Sequence, residues 1–281
     1  MNNGNQPLIS IITATFNRAD FLEKNILSIK NQDYKNIEHI VVDGGSTDNT
    51  IEILNKYRDI YNLRWVSEKD KGCTNAINKG FKMATGDVIC WLDSDDYYLP
   101  GTLSKIVKIF QEKPDIDVVF GDILIGDSSG KIVNYVRHTK FDPEILIYEK
   151  RQDISPQAAF WKKAVQAKID SMNERYTRCA DYDFFIRMGM SGAKFYHLRD
   201  FLGVYRWHPG QFTKEKEICK QERETISRNY IDKNLNKNQT RSKKLKFFRK
   251  RTANLIKQGD FWFVFRGFLR RLGVIKNPSL E

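Results

Sequence analysis

The sequence predicts an α/β fold with a mainly parallel sheet and helices on both of its faces. Four apolar, strand-like runs occupy the first half of the chain, at residues 8–14, 37–43, 63–68 and 87–92. Amphipathic helical runs separate them, at about residues 21–32, 47–58 and 73–84. Strands that alternate with helices of this length are typical of βαβ units, whose crossovers are right-handed and whose sheets are covered on both sides.

Capping and turn residues predict where these elements begin and end. Asp20, with Glu23 three residues later, predicts a capping box for the first helix. Gly44 and Gly45 predict a turn after the second strand, which leads into a helix capped by Ser, Thr or Asp. Further along, Gly192 predicts the end of the helix over residues 181–192.

The pattern changes from about residue 115 onwards. Residues 115–126 and 130–138 are strand-like and are joined by a turn, which predicts a mixed sheet in the second half. Residues 193–208 contain two further strand-like pieces. The segment beyond 211 is helical in composition, and we expect little structure in the polar stretch at 236–244.

The chain has the composition of a globular protein. Of its 281 residues, 41% are hydrophobic and 12% are aromatic. No apolar run is long enough to span a membrane, and the first residues lack the pattern of a secretion signal. The four cysteines have neither CxxC nor CxxxH spacing, which predicts free thiols in a reducing, cytoplasmic compartment and argues against a disulfide framework or zinc site.

The net charge of +12 is located in the C-terminal segment. Residues 211–281 hold 19 Lys and Arg residues and 7 Asp and Glu residues, which leaves 28 basic and 28 acidic residues in 1–210. A neutral body with a basic extension predicts that the two parts have different functions.

Three carboxylates, Asp93, Asp95 and Asp96, directly follow the fourth strand. In open α/β sheets, ligands bind outside the carboxyl ends of the strands. Asp93 and Asp95 are two residues apart, so an extended backbone directs both to one side, where Mg²⁺ or Mn²⁺ would offset their repulsion. The alternative is a solvated loop in which Asp96 caps the next helix. Polar residues at the other strand ends, at 13–18, 43 and 68–70, favour a shared ligand site.

Seven segments together resemble one known family. They are IITATFNRADFL, VVDGGSTDNT, SEKDKGCTNAINKG, GDVICWLDSDDYYLP, SPQAAFWKK, CADYDFFIRM and YRWHPGQFT, which lie in this order over about residues 7–213. In this order and spacing, they resemble a family 2 glycosyltransferase with the GT-A fold, a Rossmann-like α/β architecture. The resemblance implies a catalytic domain over 1–213 and a basic helical region over 214–281.

The resemblance also implies an inverting sugar transfer from a nucleotide diphosphate donor, with uridine as the expected base. Asp43 would bind the base or ribose, with Thr13 and Thr15 lining the same pocket, although an Asx turn is an alternative role for Asp43. Asp70 would contact the nucleoside, and Asp93 would lie near the ribose.

The expected metal ligands are Asp95 and His208, holding Mn²⁺ or Mg²⁺ against the diphosphate. The alternative for His208, which precedes a proline, is an ordinary turn residue, and Gln211-Phe212-Thr213 departs somewhat from the family pattern.

The resemblance places a general base at the start of a helix, at Asp181. A helix N-terminus favours the ionised form of a carboxylate. The family often has Glu-Asp where this chain has Ala180-Asp181, so Asp183 is the competing choice, and Asp181 could also be only a helix cap. Gln157 and Trp161 are candidates for the acceptor side, with a core position as the alternative for Trp161.

The C-terminal segment predicts a membrane-interface helix over 261–275. As a helix it has one apolar stripe, formed by Trp262, Phe265, Leu269 and Leu272, with arginines away from its centre. The alternative is a helix that packs this stripe on the catalytic body or on a second subunit. Nucleic acid is the least favoured partner, because the neutral body shows no fold that binds it.

The sequence therefore predicts an enzyme that glycosylates a lipid-linked glycan at the inner face of a bacterial membrane. A sugar nucleotidyltransferase of similar fold is the first alternative, although residues 13–20 lack the Gly-rich basic loop that a triphosphate requires. A catalytically silent nucleotide-binding or recruiting module is the second alternative.

Overall fold

A mixed sheet forms the centre of the molecule in the computed structural model, which describes residues 6–208, 210–211, 216–231 and 235–271. Within these residues the sheet has nine strands: β1 Ile9–Thr15, β2 Ile37–Asp43, β3 Leu63–Ser67, β4 Val88–Trp91, β5 Tyr97–Tyr98, β6 Val118–Gly126, β7 Ile132–Val136, β8 Ala159–Lys162 and β9 Phe195–Arg206. Their order across the sheet is β3-β2-β1-β4-β8-β6-β9-β5, and β7 pairs with β6.

Ten helices of the described chain surround or follow this sheet. They are α1 Ala19–Lys30, α2 Thr50–Tyr57, α3 Cys73–Met83, α4 Thr102–Glu112, α5 Pro143–Glu149, α6 Lys163–Ile169, α7 Ala180–Met190, α8 Lys216–Tyr230, α9 Lys237–Lys257 and α10 Phe261–Arg271. Strands β1 to β4 are mutually parallel, whereas β8 is antiparallel to both β4 and β6. The predicted change from a parallel first half to a mixed second half is therefore confirmed.

The main core is rich in aromatic side chains. Trp91 and Trp161 pack edge to face with ring centroids 5.4 Å apart, and Phe184 lies within 5.8 Å of both rings. Each buried side chain of this size contributes about 1.5–3 kcal/mol to folding. Trp161 is fully buried in this cluster, so the core position is the observed one and a direct role on the acceptor side is excluded.

The predicted capping box of α1 is wrong. Asp20 lies inside the first turn of α1. The N-cap residue of this helix is Arg18, whose side chain makes no capping hydrogen bond. Asp48 accepts from the Ala19 amide at 3.1 Å, and Glu23 accepts from Lys56 and Tyr57 at 2.7 and 2.8 Å. The loop before α2 therefore satisfies this helix terminus, which local sequence alone could not indicate.

Two other expectations also need correction. The stretch 236–244 is structured: Asn236 and Gln239 form a capping box that begins α9, a helix of 21 residues. Residues 195–206 form one strand rather than two pieces, because the pairing of β9 with β6 shifts register beside Gly121 and Asp122 and then continues. The predicted helix end near Gly192 is confirmed, since α7 ends at Met190 and Gly192 has a positive φ.

The first two helices beyond residue 211 pack on the sheet-bearing body. Ile226 of α8 and Phe247 of α9 are buried in the same core cluster as Trp91, and the Phe247 ring stacks on Tyr148 of α5 at 5.3 Å. Arg251 of α9 donates to Glu149 at 2.9 Å. In the described part of the chain, no helix combines the length and apolar character needed to cross a membrane.

Replacement of Phe247 by alanine is predicted to lower the free energy of unfolding by about 3–5 kcal/mol, because it leaves a cavity between α9 and α5. Leu245, on the same helix, is 49% exposed. Leu245→Ala is therefore expected to change the free energy of unfolding by less than about 0.5 kcal/mol. Chemical denaturation of the full chain measures both values. Equal stability of the two variants would show that α9 does not pack on the body.

Candidate functional site

The carboxyl ends of β1, β2 and β3 lie side by side, with Thr15 in register with Asp43 and Asp43 in register with Ser67. Asp43 is fully buried. Its carboxylate accepts from the amides of Gly45 and Ser46 at 3.0 and 2.9 Å, from Ser67 Oγ at 2.6 Å, and from Ser46 Oγ. Three of these donors bind Oδ2 and one binds Oδ1, so Asp43 organises this loop, and Oδ1 keeps an acceptor position for a further donor.

The two candidate threonines differ in their surroundings. Thr13 Oγ1 is buried, donates to the Leu92 carbonyl at 2.9 Å and lies 2.9 Å from His39 Nε2. Burial lowers the pKa of His39 to about 3, so this ring is neutral. Thr15 Oγ1, in contrast, is buried with no hydrogen-bond partner in the described chain. Thr13 therefore connects β1 to the end of β4, and Thr15 is the threonine whose hydroxyl could still bind a ligand.

Asp70 lies directly against the turn that follows β2. A Cβ atom added to Gly44 would come within 2.7 Å of Asp70 Oδ2 and 3.4 Å of the Phe16 ring, so a larger residue would displace the Asp70 carboxylate. Phe16 is 55% exposed. A carboxylate beside an exposed aromatic ring suits a nucleoside, since every base can stack on such a ring. Phe16 is not among the site residues predicted from the sequence, although an aromatic residue at the start of a polar strand-end loop was a usable signal.

Asp96 holds the acidic loop after β4 in place. It is 1% exposed, and its carboxylate accepts from the Arg206 amide at 2.8 Å and from Gln157 Nε2 at 2.7 Å. Burial, together with the neighbouring Asp95 and Asp93, raises the pKa of Asp96 well above its ordinary value. The alternative role as a helix cap is wrong, because α4 begins six residues later and Asp96 joins β4 to β9 instead.

Asp95 and His208 are brought together by this arrangement. His208 Nε2 lies 3.0 Å from Asp95 Oδ2, and the His208 ring stacks on Phe21 at 4.4 Å. Arg206, which is 2% exposed, donates to the Asp95 carbonyl and to the Phe21 carbonyl. Two residues 113 positions apart therefore present adjacent ligand atoms, on a backbone that Arg206 fixes.

Asp93 and Asp181 line one cavity of about 660 Å³, together with Gln157. Burial, with the nearby charges of Asp95 and Asp181, raises the pKa of Asp93 to about 7. Such mutual repulsion among carboxylates is relieved when a cation binds beside them.

Asp181 lies at the start of α7, as predicted, in the first turn after Ala180. Gln152 Nε2 donates to its Oδ2 at 3.1 Å, and the Tyr182 amide donates to its Oδ1 at 2.8 Å. Burial raises the pKa of Asp181, and Arg223 partly opposes this shift. A fixed carboxylate of raised basicity that faces a cavity is suited to accept a proton.

Asp183, the competing choice, has a different environment. It is 5% exposed and accepts from Arg187 Nε at 2.8 Å. Among the described residues it does not line the cavity that contains Asp181. The geometry therefore favours Asp181 as the base.

The residues present fit a divalent cation that is shared with a ligand. No group of three or more His, Cys, Asp or Glu side chains in the described ranges is arranged to hold a metal ion. Magnesium and manganese sites commonly use one or two protein ligands and complete their shell with phosphate oxygens and water. The adjacent Asp95 Oδ2 and His208 Nε2 provide such a partial set.

The chain matches a known family and known structures. The family profile described as Glycosyl transferase family 2 matches residues 10–170. A PGL/p-HBAD biosynthesis glycosyltransferase of Mycobacterium bovis (strain BCG / Pasteur 1173P2) is 33% identical over 184 residues, which cover 64% of this chain and 69% of the relative.

Two solved structures share the fold. S. aureus TarS 1-349 in complex with UDP-GlcNAc has a TM-score of 0.66 and 21% identity, and the match covers 85% of this chain and 71% of that one. The mannosyltransferase PcManGT from Pyrobaculum calidifontis, in complex with GDP-Man and Mn²⁺, has a TM-score of 0.60 and 16% identity, over 97% and 82% of the two chains. This protein therefore belongs to glycosyl transferase family 2 and is a glycosyltransferase with the α/β fold of GT-A type.

Proposed function

We propose that this enzyme transfers a sugar, with inversion, from a uridine diphosphate sugar to a hydroxyl group of a lipid-linked glycan. The observation that carries the proposal is that Asp93, at the end of β4, and Asp181, at the start of α7, line the same cavity. TarS was solved with UDP-GlcNAc, which supports a uridine donor for this chain. Family membership favours glycosyl transfer over the nucleotidyltransferase and silent-module alternatives.

The nucleoside would bind at the loops after β1, β2 and β3. Phe16 would stack on the base, Asp70 and the Thr15 hydroxyl would bind the nucleoside, and the loop that Asp43 organises would shape the pocket. Asp93 would bind the ribose at the junction with the cavity. The diphosphate would then lie at the acidic loop after β4.

Asp95 and His208 would hold Mn²⁺ or Mg²⁺ at this loop. The structure of PcManGT with GDP-Man and Mn²⁺ supports this metal requirement. The bound cation would neutralise the charge that develops on the departing diphosphate.

Asp181 would act on the acceptor. Its carboxylate accepts the proton of the acceptor hydroxyl as that oxygen attacks the anomeric carbon, and the bond from this carbon to the diphosphate oxygen breaks with its electron pair going to the diphosphate. Attack from the face opposite the leaving group inverts the configuration. Gln152 and the Tyr182 amide hold the carboxylate in position during this step.

The exposed face of α10 supports attachment to an anionic membrane surface. Phe261, Trp262, Phe265 and Phe268 are 57, 69, 38 and 57% exposed, and the sequence of this helix also contains three arginines. Aromatic and basic residues together are typical of interfacial helices. Leu272 and the rest of the expected segment to 275 lie outside the described residues. The enzyme would then act at the cytoplasmic face of the membrane, where a lipid-linked acceptor is accessible.

Asp181→Asn is predicted to lower turnover of a UDP-sugar by about 10²–10⁴-fold, because the acceptor hydroxyl loses its proton acceptor. UDP affinity, measured by calorimetry, is expected to stay the same. Since the pKa of Asp181 is raised, the native enzyme should lose activity on acidification at a pH above about 4, the ordinary carboxyl value.

The control for this experiment is Asp183→Asn, which removes the negative charge that pairs with Arg187 and is expected to lower stability while turnover of the folded enzyme is retained. If Asp183→Asn abolished turnover and Asp181→Asn did not, the base would be Asp183. Absence of turnover by the native enzyme across a panel of nucleotide sugars and acceptors, together with absence of UDP binding, would contradict the proposed function.

The double variant Trp262→Ser/Phe268→Ser is predicted to weaken binding to phosphatidylglycerol vesicles about a hundredfold or more, because each ring contributes about 1.5–3 kcal/mol on burial. The matched control is Leu245→Ser/Ile256→Ser, which alters two α9 side chains that are 49 and 48% exposed. Vesicle flotation measures the bound fraction. Equal flotation of the two double variants would reject α10 as the membrane contact.

A further inference from the structure

The cavity that contains Asp181 is lined by the proposed base but by few of the proposed donor ligands. Its described lining residues include Asp93 and Asp181 but not Asp43, Asp70, Asp95 or His208. The nucleoside and metal positions are therefore outside the cavity, and Asp93 is at its junction with them. A substrate that binds in this cavity would contact the proposed base and Asp93.

One wall of this cavity is basic. Lys216, Lys220 and Arg223 are four and three residues apart on α8, which puts them on one face of the helix, and all three line the cavity. Lys150 and Arg178 also line it. Of the carboxylates in its described lining, Glu224 lies 3.6 Å from Lys150, whereas Asp93 and Asp181 belong to the proposed catalytic chemistry.

Arg223 has an unsatisfied donor. Its Nε is buried and has no hydrogen-bond partner among the described residues. The guanidinium carbon lies 5.8 Å from the centre of the Tyr182 ring, beside the base at 181. Arg223 also lines the cavity, so an anionic group bound there would interact favourably with the guanidinium charge.

We propose that the acceptor substrate carries a phosphate or diphosphate group, which Arg223, Lys220 and Lys216 bind while its hydroxyl faces Asp181. This inference rests on the proposed function, because it assigns the other side of the same site. A guanidinium matches the geometry of phosphate with two parallel hydrogen bonds, and lysine adds point charges. Because the donor diphosphate is proposed to bind at Asp95 and His208, the basic wall is left for a second anion.

The test measures binding of methyl phosphate to the full chain saturated with UDP and Mg²⁺, by calorimetry or by ³¹P resonance shifts. Saturation with UDP fills the donor diphosphate position, so any added binding reports a second anion site. Arg223→Gln is expected to weaken this binding about tenfold or more, the value of a lost charge-assisted hydrogen bond. Lys220→Gln, at an exposed position, should weaken it in the same direction without affecting folding.

Arg228→Gln is the matched control. Arg228 is on the same helix, its side chain is 74% exposed and it lies 3.6 Å from Glu224, but it does not line the cavity. We expect its variant to bind methyl phosphate and UDP like the native enzyme, and all variants to keep native UDP affinity.

Three results would overturn the inference: no binding of methyl phosphate to the UDP-saturated chain, equal weakening by Arg223→Gln and Arg228→Gln, or a parallel loss of UDP affinity in Arg223→Gln. The last result would assign the basic wall to the donor diphosphate. A parallel titration without UDP separates the two proposals. If UDP does not bind and methyl phosphate binds through Arg223, the proposed function fails while the anion site is retained.

Discussion

The buried carboxylate of Asp96 is the point at which distant parts of this chain are joined. It accepts from the Arg206 amide on β9 and from Gln157 before β8. Asn25 of α1 donates to the Asp93 and Asp96 carbonyls of the same loop. The acidic loop is therefore held from three directions by hydrogen bonds in a region with little water, where such bonds are strong and their loss is costly.

This arrangement divides the three carboxylates into one structural group and two that remain for a ligand. Protein donors satisfy the Asp96 carboxylate. Burial and the acidic neighbours, in contrast, raise the pKa of Asp93. Asp95 meets His208, because Arg206 connects the β9 end to the Asp95 carbonyl. The fold thus concentrates negative charge at one sheet edge, and a cation brought with a diphosphate would relieve that repulsion. Because these side chains are held in position before a ligand binds, less conformational entropy is lost on binding.

The sequence predicted the fold class and the parallel first half well, because alternating apolar runs and helical periods report burial directly. It also placed Asp181 at a helix start and the basic residues in the C-terminal segment. Local signals failed where a distant partner decides the outcome. Glu23 looked like a capping residue but pairs with α2, and Asp96 looked like a cap but binds β9.

The site shows the same division between local and distant causes. Thr13 and Thr15 have equal status in the sequence, yet Thr13 bonds the Leu92 carbonyl and Thr15 has no partner among the described residues. The basic wall of the cavity arises because residues 216, 220 and 223 of α8 line the same cavity as Asp181. The sequence located this charge in the C-terminal segment, but only the packing of α8 on the body places part of it beside Asp181.

Metal-dependent binding of UDP is the most direct test of whether the acidic loop holds a cation against a diphosphate. Calorimetry on the native chain with Mn²⁺ and with EDTA, repeated on Asp95→Asn, isolates the contribution of this loop. Asp115→Asn is a matched control, since Asp115 is exposed and lies 3.4 Å from Lys194. We predict that Mn²⁺ strengthens UDP binding about tenfold or more in the native and control chains, and that Asp95→Asn removes this gain. Equal UDP affinity with Mn²⁺ and EDTA, or a full gain in Asp95→Asn, would contradict the account.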